Sequence, residues 1–145
     1  MRNLLVWTLL IVSVSAFGAD DAGKSGKELY ERYCASCHGV GGQGDGPVSK
    51  SLAVEVPDLT RFARRHGERF DRELVERIID GRHVIAAHGT RAMPVWGEDL
   101  GRPERGKPDA ERKTSVVITR LADNLWQMQR QRAKQKRSRT TGSPN

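Results

Sequence analysis

Two cysteines and a histidine stand close together in the segment Cys34-Ala35-Ser36-Cys37-His38, which contains both cysteines of the chain. Near the end of a helix, residues at i and i+3 face the same way, so both thiols can add to the two vinyl groups on one edge of a porphyrin. The histidine that follows then offers an imidazole nitrogen to the iron. C-x-x-C-H is the attachment signature of c-type haem. The motif therefore predicts one covalent haem c, bound through Cys34 and Cys37, with His38 as an axial ligand of the iron.

Three other uses of a C-x-x-C pair compete with this interpretation. A thioredoxin-like redox pair shares the spacing, but it belongs in a βαβ context that the sequence does not show. A zinc site could add His83 and His88, although these lie much farther from Cys37 than the roughly 12 residues that separate ligand pairs in a zinc finger. A plain disulfide is the usual state of two cysteines in an oxidising compartment, but it explains neither His38 nor the glycines that follow. The complete motif favours haem attachment over all three.

Helical periodicity indicates the elements that must position this motif, and no β-alternation stands out. Ser25 can cap the first helix with Glu28 in a capping box, while Asp71 and Gly81 can begin and end the second. The predicted helices are Ser25–Ser36, Phe70–Asp80 and Asp109 to about Met128. We therefore expect an all-α fold of about three main helices with long loops. Its apolar residues are few, so a large flat cofactor would complete the core.

The first residues have the order of a secretory signal. A short positive region is followed by the apolar run Leu4–Val14 and then by small residues. We predict a signal peptide over residues 1–19, with cleavage after Ala16 or Gly18, and export to the periplasm. The alternative is an uncleaved membrane anchor, but the uncharged stretch Leu4–Ala19 has 16 residues. That is about 24 Å of helix, against about 30 Å for a bilayer core.

Charge divides the rest of the chain into two parts. Residues 20–128 carry 18 Lys and Arg against 18 Asp and Glu, whereas residues 129–145 carry six basic side chains and no acidic one. A neutral body argues against nucleic-acid binding. We predict a cytochrome-like domain over 20–128 and a disordered basic tail over 129–145, since the tail has no apolar periodicity. The tail could dock on an acidic protein or on an anionic membrane surface.

Over roughly Ser25 to Met128 the chain resembles the class I, mitochondrial-type cytochromes c of bacterial periplasms. The attachment motif lies near the N-terminus. Gly26 and Tyr30 precede Cys34 by eight and four residues, where that family places a glycine and an aromatic against the last helix. The remaining matches are a glycine-rich loop that begins at Gly39 and ends at Pro47, and the downstream segment Met93-Pro94-Val95-Trp96-Gly97. One departure is Arg120, which stands about where the family often has an aromatic.

The resemblance implies a set of site residues. His38 would be the proximal ligand and Met93 the distal one, with His83 and His88 as the alternatives to Met93. A thioether on the far side raises the reduction potential, because it favours ferrous iron. The ring N–H of His38 that faces away from iron would donate to the carbonyl of Pro47. Trp96 would either donate its indole N–H to a haem propionate or belong to the core.

The function implied is single-electron transfer by a soluble periplasmic carrier, a monomer with redox partner proteins, rather than catalysis. A haem subunit of a larger oxidoreductase complex is the first alternative, and the basic tail is the feature that raises it. A ligand-binding or peroxidase-like haem protein is the second, and it requires Met93 to be absent from the iron.

Overall fold

The computed structural model describes residues 21–82 and 93–141. These residues form helices and loops with no β-strand among them, which confirms the expected all-α fold. The α-helices are α1 (Gly26–Tyr33), α2 (Ala35–His38), α3 (Phe62–Arg65), α4 (Arg72–Asp80), α5 (Trp96–Asp99) and α6 (Ala110–Thr141). Short 3-10 turns lie at Asp21–Gly23, Ser49–Ser51, Leu59–Arg61 and Arg102–Glu104. Within these described ranges, no helix combines the length and apolarity needed to cross a membrane. The predicted signal peptide lies outside the described residues.

The beginnings and ends of the helices follow local side-chain chemistry. Ser25 accepts a hydrogen bond from the Glu28 amide, and Glu28 accepts one from the Ser25 amide at 2.8 Å, so the predicted capping box is present. Asp71 accepts from the amide of Leu74 at 2.9 Å and begins α4. Gly81 ends α4 in the left-handed conformation with φ of 70°, which a residue with a Cβ adopts only with strain. The three predicted capping residues, Ser25, Asp71 and Gly81, are therefore observed in these roles.

The core forms where α1 and α4 pack against the first half of α6. Its buried side chains include Leu29, Tyr30, Val75, Ile79, Val117 and Leu121. Gly26 touches the backbone of α6 so closely that a Cβ there would overlap the carbonyl oxygen of Arg120. The guanidinium of Arg120 donates to the carbonyl oxygens of Lys24, at 3.0 Å, and Ala22, in the segment that precedes α1. The contact between α1 and α6 that was expected at Gly26 is thus made by backbone atoms and by the side chain of Arg120. Arg120 stands in place of the aromatic residue that the family often has there.

The last helix is longer than the sequence pattern indicated. We expected it to end near Met128 with no regular structure beyond, whereas α6 continues to Thr141. Tertiary contacts hold the start of the extension, because buried Gln129 accepts a hydrogen bond from the Ala63 amide at 3.0 Å and Arg132 donates to Thr60 Oγ1 at 2.8 Å. Residues 129–141 contain no Gly or Pro and are mainly Arg, Lys, Gln and Ala, which favour helix without an apolar stripe.

Candidate functional site

One apolar pocket lies between α1, α2, α4, α6 and the segment that precedes α5. Its walls are mainly aliphatic and aromatic side chains, among them Leu59, Phe62, Val75, Ile79, Leu121 and Leu125. Five of the predicted site residues also line it, namely Cys34, Cys37, His38, Met93 and Trp96. Pro47, the sixth, is exposed and does not line the pocket. Residues that are far apart in the sequence thus line one apolar cavity.

His38 is oriented by a backbone carbonyl. Its Nδ1 lies 3.3 Å from the carbonyl oxygen of Pro57. A carbonyl oxygen only accepts, so Nδ1 carries the proton and Nε2 keeps the lone pair that can bind a metal. Burial lowers the pKa of His38 and outweighs the opposing effect of this hydrogen bond, so the neutral imidazole is favoured. The ring has the tautomer that an iron ligand needs.

The hydrogen-bond partner of the His38 ring differs from the one that the sequence analysis named. The carbonyl of Pro57, not that of Pro47, lies against Nδ1. The glycine-rich loop explains the difference. The amide of Leu59 donates to the carbonyl of Gly42 at 2.7 Å, so residues 56–59 lie directly against the loop. Gly44, with φ of +84°, permits this approach, since a Cβ there would overlap the carbonyl oxygen of Val56. Pro57 therefore reaches His38. The sequence analysis did not single out Pro57, because nothing local indicates which carbonyl comes near a given ring.

The two cysteines lie at the junction of α1 and α2. Cys34 sits between the helices, and its carbonyl accepts from the amides of Cys37 at 3.2 Å and His38 at 2.9 Å. This single turn brings both thiols to the pocket, and both are free and half-buried. Burial raises the pKa of Cys34 to about 12, so the group is a protonated thiol at neutral pH. A disulfide between them is not formed in this structure.

The glycine-rich loop closes over the end of α2. The amides of Gly46 and Val48 donate to the carbonyls of Cys37, at 3.1 Å, and Ser36, at 3.0 Å. Tyr30, 2% exposed, donates its hydroxyl to the carbonyl of Gly39 at 2.8 Å. These bonds satisfy carbonyls that a helix end leaves unpaired, and they fix the loop around the C-x-x-C-H segment. The sequence analysis identified this glycine-rich loop but had no signal for the Tyr30 contact.

Met93 and Trp96 also line the pocket, although they lie far downstream of the C-x-x-C-H segment in the sequence. Met93 precedes α5, and Trp96 begins it. The rings of Trp96 and Tyr33 have centroids 5.3 Å apart. His83 and His88, the alternatives to Met93, lie outside the described residues. Among residues 21–82 and 93–141, no three His, Cys, Asp or Glu side chains gather in a way that could hold a metal ion.

These donors fit a covalently attached haem. Two thiols stand on one turn, a neutral imidazole exposes the Nε2 lone pair, a thioether lines the same pocket, and the walls are apolar. Zinc prefers thiolates and imidazoles in closed groups of four, and the described residues provide no such group. An all-helical fold that brings a C-x-x-C-H turn to an apolar pocket defines the class: a c-type cytochrome.

The comparison with known protein families also gives a c-type cytochrome, and it identifies a particular family within that class. The sequence model of the family "Cytochrome C oxidase, cbb3-type, subunit III" matches residues 21–107, more than half of the chain. The chain belongs to that family. Its cytochrome domain carries covalently bound haem c with iron and exchanges electrons with redox partner proteins. Searches of the curated proteins and of the solved structures give no match.

Proposed function

We propose that the chain is a class I, monohaem c-type cytochrome that passes single electrons as a soluble periplasmic carrier. Cys34 and Cys37 would form the two thioether bonds, and His38 and Met93 would be the axial ligands. Bound haem supplies an iron that cycles between the ferrous and ferric states. The observation that carries the proposal is that Cys34, Cys37, His38 and Met93 line one and the same apolar pocket.

Each residue has a separate task in this proposal. Pro57 keeps Nδ1 of His38 protonated and thereby directs Nε2 into the pocket. The soft thioether of Met93 favours the reduced state. The aliphatic walls exclude water, so that little solvent reorganises when the charge of the site changes. None of these tasks requires a proton donor or a nucleophile.

An optical comparison tests the ligand set. The protein is expressed in a cell that matures c-type haem, and its oxidised and reduced spectra are recorded beside those of Met93→Ala and Met128→Leu. Met128 is the matched control, because it is the other methionine of the domain and is only partly buried on α6. We expect a low-spin haem that survives denaturation, and a weak long-wavelength sulfur-to-iron band that only Met93→Ala abolishes.

Other outcomes would change the proposal. A bound haem whose spectrum does not respond to Met93→Ala would make His83 or His88 the next candidate ligand and a lower potential the expectation. Rapid binding of carbon monoxide by the ferrous wild-type protein would support an open iron site and a ligand-binding or peroxidase-like role. Extraction of the haem by acid and organic solvent would contradict covalent attachment.

Export is the second part of the proposal. Removal of the predicted signal would leave a mature chain that begins at Phe17 or at Ala19. The intact mass of the protein from a periplasmic extract distinguishes the two sites. A full-length chain found only in the membrane fraction would support the uncleaved anchor instead.

A haem subunit of a larger oxidoreductase complex is the second candidate, and the extension of α6 favours it. Residues 129–145 hold six basic side chains and no acidic one, and the helix continues to Thr141. A basic helix beyond a neutral body is suited to an acidic surface on a redox partner, and its attraction depends on salt.

Neutralising the extension tests the docking role that favours the second candidate. The variant carries Gln at Lys134, Lys136, Arg137 and Arg139, and the control carries Gln at the exposed Arg64 and Arg69 of the body. Oxidation of each reduced protein by respiratory membranes is followed at low and high salt. A docking role predicts slower oxidation and a weaker salt dependence for the first variant only. Equal rates for all proteins at low salt would end the docking hypothesis.

A further inference from the structure

One guanidinium joins the end of α4 to the first turn of α6. Arg82 donates from Nε to Oδ1 of Asp80 at 2.8 Å, and from a terminal nitrogen to Oδ2 at 2.6 Å. It also donates to both carboxylate oxygens of Glu111, at 3.0 and 2.7 Å. The planar fork of arginine thus binds two carboxylates bidentately, the strongest geometry that such pairs adopt. We call this set of three side chains the Arg82 clamp.

The segment that carries Met93 rests on this clamp. Gly97 is buried in the first turn of α5, and a Cβ there would overlap both Nε of Arg82 and Oδ1 of Asp80. Only glycine lets the backbone of α5 lie this close to the charged groups. Gly97 is four residues from Met93, and α5 also packs against α4 and α6. The clamp therefore lies beneath the same short segment that brings Met93 to the pocket.

We propose that Arg82 is a positioning residue that holds the Met93–Gly97 segment between α4 and α6 and so keeps the thioether of Met93 directed into the haem pocket. This inference rests on the proposed function in one respect, the role of Met93 as an iron ligand. Arg82 itself does not line the pocket. Its effect on the site would pass through the backbone of α5, since Gly97 is the residue in direct contact with it.

The side chains of the clamp differ in exposure, which allows graded tests. The Glu111 side chain is 75% exposed and the Asp80 side chain 15% exposed. Loss of the Glu111 arm should therefore have a small effect, and loss of Arg82 a larger one, because the less exposed Asp80 carboxylate would lose its bidentate partner. Arg82→Lys keeps the positive charge but lacks the planar fork of arginine. It should therefore behave nearly as Arg82→Gln does, rather than like the wild type.

The test uses the haem-loaded protein and two readouts. The first is the rate at which imidazole displaces the thioether of Met93 from the ferric protein, followed by loss of the sulfur-to-iron band. The second is amide hydrogen exchange of Trp96–Leu100, which does not depend on the iron ligand. The variants are Arg82→Gln, Arg82→Lys, Glu111→Gln and Gly97→Ala. The control is Arg77→Gln, which removes an exposed α4 pair with Glu73.

We expect imidazole to bind about tenfold faster in Arg82→Gln and about twofold to fivefold faster in Glu111→Gln, with Arg77→Gln unchanged. Exchange of Trp96–Leu100 should accelerate in the same order. Gly97→Ala should act like Arg82→Gln, because it displaces the segment while every charge remains. If Arg82→Gln fails to fold, Glu111→Gln and Gly97→Ala carry the test.

The outcomes separate this inference from the proposed function. A wild-type protein without the sulfur-to-iron band would contradict Met93 ligation, yet faster exchange in Arg82→Gln would still support the clamp. A normal band in the wild type, with imidazole binding and exchange unchanged in Arg82→Gln and Gly97→Ala, would overturn the clamp and leave the proposed function intact.

Discussion

The carbonyl oxygen of Pro57 lies 3.3 Å from Nδ1 of His38, a residue 19 positions earlier in the chain. This contact sets the tautomer of the imidazole and the direction of its other nitrogen. Proline fixes its own φ at about −65° and restricts the residue before it, so the backbone that bears this carbonyl has less freedom than an ordinary loop.

Pro57→Ala should therefore disturb the haem site, whereas Pro47→Ala should not. The alanine keeps the carbonyl group but frees the backbone, which weakens the orientation of His38. We expect a shifted reduction potential and faster loss of His38 ligation on acidification for Pro57→Ala, measured by redox titration and by optical spectra against pH. A larger effect from Pro47→Ala would restore the original assignment of that proline.

Gly26→Ala should destabilise the fold where α1 meets α6. The added methyl group would overlap the carbonyl oxygen of Arg120, and backbone cannot yield as a flexible side chain does. We expect a loss of about 2 kcal/mol in the free energy of unfolding. The control is Gly23→Ala, because nothing lies within 4 Å of a Cβ at that position. Urea unfolding of the two haem-loaded variants gives the comparison, and equal midpoints would contradict the close contact.

Tyr30→Phe should weaken the glycine-rich loop without changing the core volume. The hydroxyl donates to the carbonyl of Gly39 at 2.8 Å in a buried position, so its removal takes away one of the two hydrogen bonds that this carbonyl accepts. We expect a loss of about 1 to 2 kcal/mol in unfolding free energy, with faster exchange of the loop amide of Gly42, which donates to the same carbonyl at 3.0 Å. Unchanged exchange at Gly42 would mean that the loop is held without this bond.

The ionisation of Asp21 should make the stability of the fold depend on pH in the acidic range. Burial opposes its charged form, but the hydrogen bond from Tyr33 and the charges of Lys24 and Arg32 outweigh burial and hold the pKa of Asp21 below its usual value of 3.8. The unfolded chain then binds the proton more readily than the folded one. The stabilisation is therefore present above about pH 4 and is lost as the pH falls through the lowered pKa.

Replacing this carboxylate should remove that dependence. Asp21→Asn should be less stable than the wild type at pH 7, and the difference should shrink as the pH is lowered below 4. Asp99→Asn, in an exposed pair with Arg102, is the control and should show little change at either pH. Thermal unfolding at a series of pH values measures both. A difference that stays constant with pH would exclude the carboxylate as its cause.

Much of the local structure could be predicted from the sequence. The caps of Ser25 and Asp71 and the stop at Gly81 depend on residues within four positions of one another, so local spacing is enough to find them. The same holds for the C-x-x-C-H turn. The roles of Met93 and Trp96 came from a family resemblance instead; both line the pocket, and their contact with haem stays a prediction.

The sequence by itself determined the class of cofactor and the positions where α1 and α4 begin, because thioether attachment and helix capping are set by neighbours along the chain. Only the tertiary structure decided that Pro57, not Pro47, faces His38, that Gln129 and Arg132 continue α6 beyond Met128 while bonded to Ala63 and Thr60, and that Arg82 lies beneath the Met93 segment. Each of these depends on atoms that are distant in sequence and meet only after the helices pack. The spacing of residues along the chain does not indicate such contacts.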